Sequence, residues 1–321
     1  MKILLGYPVE ESHVEKIRLV APTHEVVAAA QHELPDLLME SDCFCGHVKV
    51  PVNWRAIVDR DRLAWIQSSA AGLDHCLHPA VIESDIVVSS ASGVLSDQVA
   101  EHALALIGAL VRRFPAFHSA QLRRAYNRQP TDDLHGKRIG IVGFGGVGQR
   151  VAELLAPYRV EIVATDYFPQ SVPSYVKAVW AADALPDLLR QSDIVILCVP
   201  LTDVTRGMIG ESQIAMMPSG SLLLNVCRGD VLVESALIDA LNRGHLSAAA
   251  IDVACDEPLK DDNMLWTAPR LMITPHVAGQ SNTRIDRMTD FFCENLVRYL
   301  NNTELLNTVD KTLGFPPPKK L

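Results

Sequence analysis

Apolar residues occur in short runs separated by stretches of helical spacing. Residues 2–5, 43–46, 63–68 and 86–88 read as strands, with helices at 12–20 and 33–39 between them. This alternation predicts a parallel sheet with helices on both faces. A long amphipathic helix follows. Val99, Ala103, Leu106, Leu110 and Phe114 recur at helical spacing, and Ile107 and Val111 broaden the stripe. Asp97 and Glu101 suit its amino end. Pro115 either kinks or stops it. The polar stretch 123–133 reads as a surface connection. A second series then places strands at 138–142, 161–165, 194–198, 222–226, 248–253 and 271–274. A last amphipathic helix carries Ile285, Met288, Phe292, Leu296 and Tyr299. No strand series follows, so it is expected to pack back on the first domain. The tail 314–321 shows no packing pattern and is expected to be mobile.

The second series opens on a glycine-rich turn. Gly143, Gly145 and Gly148 have G-x-G-x-x-G spacing between an apolar run and a helix beginning Gln149-Arg150-Val151. The first glycine permits a tight turn, the second lets a pyrophosphate approach the backbone, and the third lets helix pack on strand. Free N–H groups at the helix start suit phosphates. Such turns are common, so the next strand matters. It ends in Asp166, 18 residues past Gly148. That is near the ~20-residue offset of an acid that binds an adenosine ribose.

Composition narrows the class. A 321-residue chain suits two domains, and a net charge of −9 with no basic cluster argues against nucleic acid. No signal segment or membrane-length apolar run is visible. Seven scattered cysteines suggest reduced thiols and a cytoplasmic location. Cys43 and Cys45 lack a matching ligand pair, so a strand is expected there and no metal site.

Three residues near later strand ends could carry chemistry: Arg228, Glu257 and His276. In open α/β sheets ligands bind outside the carboxyl ends of strands. A carbonyl that accepts hydride at carbon needs a proton at oxygen, which an imidazole can supply. A carboxylate beside it favours the imidazolium, and a guanidinium can bind a substrate carboxylate in a fork. Each alone is more often structural.

These motifs together resemble the D-isomer-specific 2-hydroxyacid dehydrogenase family over about residues 40 to 300. They include 70–75 (Ala-Ala-Gly-Leu-Asp-His), 99–102 (Val-Ala-Glu-His), the glycine turn, 199–202, 225–229, Asp252-Val253 through Glu257-Pro258, and Thr274-Pro275-His276. The resemblance implies an α/β fold of two doubly wound parallel-sheet domains. A Rossmann NAD-binding domain, 101–280, is inserted in a flavodoxin-like substrate domain, 1–100 with 281–321. It implies NAD as cofactor, a small 2-keto or 2-hydroxy acid as substrate, and a homodimer. His276 would be the acid/base paired with Glu257, and Arg228 would hold the substrate carboxylate. Ala71 and Gly72 would offer it backbone N–H groups. Gly146 and Val147 would lie under the pyrophosphate, Asp252 would hold the carboxamide, and Val226, Cys227, Arg228, His276 and Gly279 would line the nicotinamide and its ribose.

Some positions depart from the usual pattern. Ala254 replaces a frequent aromatic residue. Cys227 replaces a small one, where Arg228 could lower its thiol pKa, although inert burial is the simpler reading. His47 and Lys49, pointing the same way on an extended segment, stand where phosphoglycerate-type members carry arginines. A small unphosphorylated acid such as glyoxylate or hydroxypyruvate is therefore expected. The regulatory domain that long phosphoglycerate dehydrogenases carry is not expected after residue 310. The alternatives are phosphoglycerate, formate or phosphite oxidation, and an NAD-sensing corepressor-like protein. Glu257 speaks against formate chemistry, which typically has Gln there.

Overall fold

The structure, a computed structural model, describes residues 1–169 and 172–318. The chain forms two compact units, Met1–Leu95 with Ser281–Leu321, and Ser96–Gln280. The first boundary lies at 95/96, where a helix begins, rather than at 100/101.

Unit 1 runs β1 (Lys2–Gly6), α1 (Glu11–Val20), β2 (Glu25–Ala28), α2 (Leu34–Leu38), β3 (Cys43–Gly46), α3 (Trp54–Asp59), β4 (Trp65–Ser68), α4 (Pro79–Ile82) and β5 (Val87–Ser89). Its sheet is parallel, in the order β2-β1-β3-β4-β5. Strand side chains alternate between faces. Ile3, Leu5, Cys43, Cys45 and Trp65 join one core with Val14 and Ile17 of α1. Leu4, Phe44, Ile66 and Val88 join the other with residues of α2 to α4. The Cys43 and Cys45 thiols are buried in a strand, and no metal-ligand cluster occurs among the described residues.

Unit 2 runs α5 (Ser96–Val111), α6 (Phe114–Leu122), β6 (Arg138–Val142), α7 (Gly146–Leu155), β7 (Glu161–Asp166), β8 (Ala178–Ala181), α8 (Leu185–Gln191), β9 (Ile194–Leu197), α9 (Glu211–Met216), β10 (Ser221–Asn225), α10 (Glu234–Asn242), β11 (Leu246–Ile251) and β12 (Leu271–Ile273). The long helix stops before Pro115. Arg113 turns left-handed, and the proline occupies the first turn of α6, where its missing N–H costs nothing. The parallel sheet has the order β12-β11-β10-β9-β6-β7-β8, one strand more than the six expected. Chain direction across the sheet reverses between β6 and β9, the switch point at which such folds bind ligands. α5 and α7 cover one face, and α8, α9 and α10 the other.

Helix α11 (Arg284–Leu300) closes unit 1, as expected. Its Phe292 packs on Trp65 with ring centroids 5.5 Å apart. Trp65 Nε1 donates to Ser89 Oγ, and Ser89 Oγ and Asn295 Nδ2 both donate to Gln67 Oε1, so these buried polar groups are paired. Of the tail expected to be mobile, residues 319–321 lie outside the described residues. Before them, Phe315 is half-buried and pairs with Asp310 in an antiparallel bridge.

Candidate active site

Strand register in unit 2 lines up one row of residues. Thr165, Val142, Leu197, Asn225, Ile251 and Ile273 are partners in turn across β7, β6, β9, β10, β11 and β12. The candidates follow that row within a few residues. Asp166 and Gly143 come next on β7 and β6. Cys227 and Arg228 follow β10, Asp252 and Glu257 follow β11, and His276 follows β12. Strands lie about 4.8 Å apart, so one carboxyl edge holds the whole set.

The glycine turn is shaped by close approach. Gly143 sits at φ +95°, and a Cβ there would lie 2.7 Å from the Cys198 carbonyl oxygen. A Cβ on Gly148 would lie 2.1 Å from the Gly143 oxygen. Gly145, the N-cap of α7, faces open space and gives the helix no side-chain cap. The first-turn amides, including those of Gly146 and Val147, therefore remain suited to an anionic ligand. Asp166 accepts the Phe144 N–H through Oδ2 (2.6 Å) and the Phe168 N–H through Oδ1 (2.8 Å). The acid thus braces the turn. Each oxygen keeps acceptor capacity for a hydroxyl. These features fit a dinucleotide.

At the other end of the edge, Glu257 Oε2 lies 2.6 Å from His276 Nδ1, and Glu257 Oε1 accepts the Ala254 N–H at 3.0 Å. With the carboxylate accepting, Nδ1 carries the hydrogen, and Nε2 is the nitrogen left to exchange a proton. Both side chains are exposed, His276 at 47% and Glu257 at 37%. His276 stands at φ +53°, a conformation uncommon for a non-glycine residue. Its N–H donates to the Asp252 carbonyl (2.7 Å). The Asp252 carboxylate, 1% exposed, accepts from Thr274 Oγ1 (2.6 Å), the Val277 N–H and the Ala278 N–H (2.9 Å each). Gly279 follows this pinned turn. Pattern alone did not show that Asp252 is the hub of the histidine turn. A buried acid one residue past a strand end was the only available signal.

Arg228 follows Val226 and Cys227, and one guanidinium nitrogen donates to the Cys227 carbonyl at 2.8 Å. A Cβ on Gly229 would lie 2.0 Å from the Ala254 carbonyl carbon, so only glycine lets the Arg228 loop and the Glu257 loop touch. Glu234 Oε1 accepts the Cys255 N–H at 2.8 Å and braces the same loop, a contact the sequence did not signal. Burial pushes the Cys227 thiol up to about 11, and the neighbouring Arg228 offsets this only in part. Inert burial is thus the better reading: desolvation of the thiolate outweighs attraction to the guanidinium.

Unit 1 has its own carboxyl edge. β3 ends at Gly46, so His47 and Lys49 lie beyond the strand. His47 is half-buried, with its ring centroid 4.0 Å from that of His75, and Lys49 is exposed. Gln31 accepts the Lys49 N–H (2.7 Å) and donates to the His47 carbonyl (2.9 Å). His75 accepts the Val48 N–H and pairs with Ser68 Oγ (2.9 Å). Ser68 Oγ in turn holds both the N–H and the carbonyl of Ala70. Ala71 is exposed and Gly72 half-buried in the loop that follows.

Comparison with known proteins places the chain in a family. Residues 104–278 match the model of the D-isomer specific 2-hydroxyacid dehydrogenase, NAD binding domain. The chain is 33% identical to a glyoxylate reductase of Aeropyrum pernix, over 78% of this chain and 77% of that protein. It is 29% identical to a D-3-phosphoglycerate dehydrogenase of Methanocaldococcus jannaschii over 99% of this chain, but spans only 61% of that relative. A solved D-isomer specific 2-hydroxyacid dehydrogenase from Xanthobacter autotrophicus, in complex with NADPH and MES, superposes with a TM-score of 0.84 at 26% identity, covering 98% of this chain and 99% of that one. No helix among the described residues is long and apolar enough to cross a membrane. The chain belongs to the D-isomer specific 2-hydroxyacid dehydrogenase family and is an NAD(P)-dependent oxidoreductase of that family.

Proposed function

We propose that the protein interconverts a small D-2-hydroxy acid and its 2-keto acid, of the glyoxylate or hydroxypyruvate class, with NAD. The Glu257–His276 hydrogen bond, on the same sheet edge as Arg228, carries this reading. Bound nicotinamide supplies or takes up the hydride. His276 Nε2 gives a proton to the carbonyl oxygen in reduction and takes it from the hydroxyl in oxidation. Glu257 fixes the ring through its hydrogen bond at Nδ1. Arg228 binds the carboxylate and polarises the carbonyl. Ala71 and Gly72 are proposed as amide donors to a substrate carboxylate. Gly146 and Val147 underlie the pyrophosphate, and Val226, Cys227 and Gly279 flank the nicotinamide ribose. Asp166 takes the adenosine ribose hydroxyls, where a 2′-phosphate would meet like charge.

His47 and Lys49 support the small substrate, because neither offers the bidentate fork that suits a phosphate. The activity named for the Aeropyrum relative supports it too. The working form is proposed to be a homodimer, to be checked by sedimentation. NADH and NADPH oxidation should be followed with glyoxylate, hydroxypyruvate and the phosphate ester of hydroxypyruvate. The highest kcat/KM is expected with NADH and an unphosphorylated acid. A preference for NADPH or for the ester would remove the corresponding half of the reading.

A further inference from the structure

His102 and Thr274 have no role in the reading above, yet they are joined to its most constrained turn. His102 stands on α5, which packs against β10 and β11, and Thr274 follows β12. Thr274 Oγ1 lies 2.6 Å from Asp252 Oδ1 and 3.0 Å from His102 Nε2. A hydroxyl that close to a carboxylate donates its hydrogen bond to it. It then faces His102 with a lone pair, so His102 Nε2 carries a hydrogen and donates. His102 Nε2 itself lies 3.5 Å from Asp252 Oδ1, beyond a good hydrogen bond, so the hydroxyl is the link.

The chain continues on the other side of the carboxylate. Asp252 Oδ1 also takes the Val277 N–H, Oδ2 takes the Ala278 N–H, and the Asp252 carbonyl takes the His276 N–H. The Thr274 hydroxyl before His276 and the backbone N–H groups at and after it are thus tied to one residue, and this holds His276 in its left-handed conformation. Without the Thr274 donor, Asp252 can rotate about its side-chain bonds and release one of the two amides. Without His102, the Thr274 hydroxyl is free to turn away.

We propose that His102 is a positioning residue for hydride transfer, acting through the Thr274 hydroxyl and the Asp252 carboxylate on the turn that carries His276. This rests on the reading of His276 as the acid/base. The test uses the full-length protein with NADH and either glyoxylate or hydroxypyruvate. His102→Leu removes the donor, and His102→Gln keeps an N–H at comparable reach. Thr274→Val removes the link without changing shape, and it serves if His102→Leu does not fold.

His102→Leu and Thr274→Val are each expected to lower kcat about ten- to hundredfold, as a small misplacement of a reacting group does. The KM for the acid and the NADH Kd should change much less than kcat, since Arg228 and the glycine turn are untouched. His102→Gln should recover most of the loss, and the double variant should be no worse than the poorer single. Full turnover by His102→Leu, equal losses in the Gln and Leu variants, or losses that multiply in the double variant would each overturn the proposal. His276→Ala separates the two levels. If it is inactive while His102→Leu is unimpaired, only the role of His102 fails. If it turns over normally, or the unaltered protein reduces neither acid, the acid/base reading fails and this inference with it.

Discussion

The two carboxyl edges are held in different ways. In unit 2 the loops hang on carboxylates. Asp166 takes the Phe144 and Phe168 amides, Glu257 the Ala254 amide, Glu234 the Cys255 amide, and Asp252 those of Val277 and Ala278. In unit 1 the bracing groups named above are neutral: Gln31 for the 47–49 segment, and His75 with Ser68 for the loop at Ala70. Hydrogen bonds to a charged acceptor are roughly twice as strong as neutral ones. Unit 2 therefore holds its proposed catalytic groups stiffly. Unit 1 braces the segments proposed to meet an anionic substrate through these neutral groups.

Substitutions that remove this difference should rank accordingly. Asp252→Asn should have the largest effect. It leaves an amide NH₂ facing a backbone N–H in a buried site, at a cost of about 2–4 kcal/mol. Urea denaturation should show the loss, together with a large fall in kcat. Glu257→Gln keeps an acceptor for Ala254 but removes the charge beside His276. A fall in kcat of about ten- to hundredfold is expected, with little change in the melting temperature. A weaker effect belongs to unit 1. Gln31→Ala should cost about 1 kcal/mol, the value of a neutral hydrogen bond, and should show mainly as a raised KM for the acid.

The remaining effects are smaller and depend on pH. At pH 8 only about one Cys227 thiol in a thousand is ionised, given a value near 11. Alkylation of the native protein at Cys227, followed by peptide mass mapping, should stay slow until the pH passes about 10. Glu161 is held below the usual carboxylate range by its hydrogen bond from Lys177, with Arg138 adding to it. Its stabilisation is present above the unfolded value and is lost as pH falls through the folded one. Glu161→Gln should therefore flatten the acid limb of the stability curve. The change should be slight, because the group is one-third exposed.

Much of this was legible in the sequence, for physical reasons. Inner strands are buried on both faces, so β1, β3, β4, β6, β9, β10 and β11 stand out as apolar runs. The missed strands, β2 and β8, are edge strands with a single partner each. In β2 only Val26 is fully buried, and in β8 no residue is. The turn glycines and the residues after strand ends were readable because their positions follow from the topology. Side-chain partnerships across long separations were not. Nothing local links His102 to Thr274 and Asp252, or Glu234 to Cys255. The 47–49 segment read as extended, but its bracing by Gln31 and the tilted contact of the His47 ring with His75 depend on contacts between separate loops.

The central claim is that His276, held by Glu257, moves the proton while hydride moves to or from the nicotinamide. The most direct test follows NADH absorbance with glyoxylate or hydroxypyruvate for the unaltered protein and for His276→Ala, with NADH binding measured by fluorescence. The expected result is a fall in kcat of about a thousandfold or more with NADH affinity unchanged. Turnover by His276→Ala close to that of the unaltered protein would contradict it.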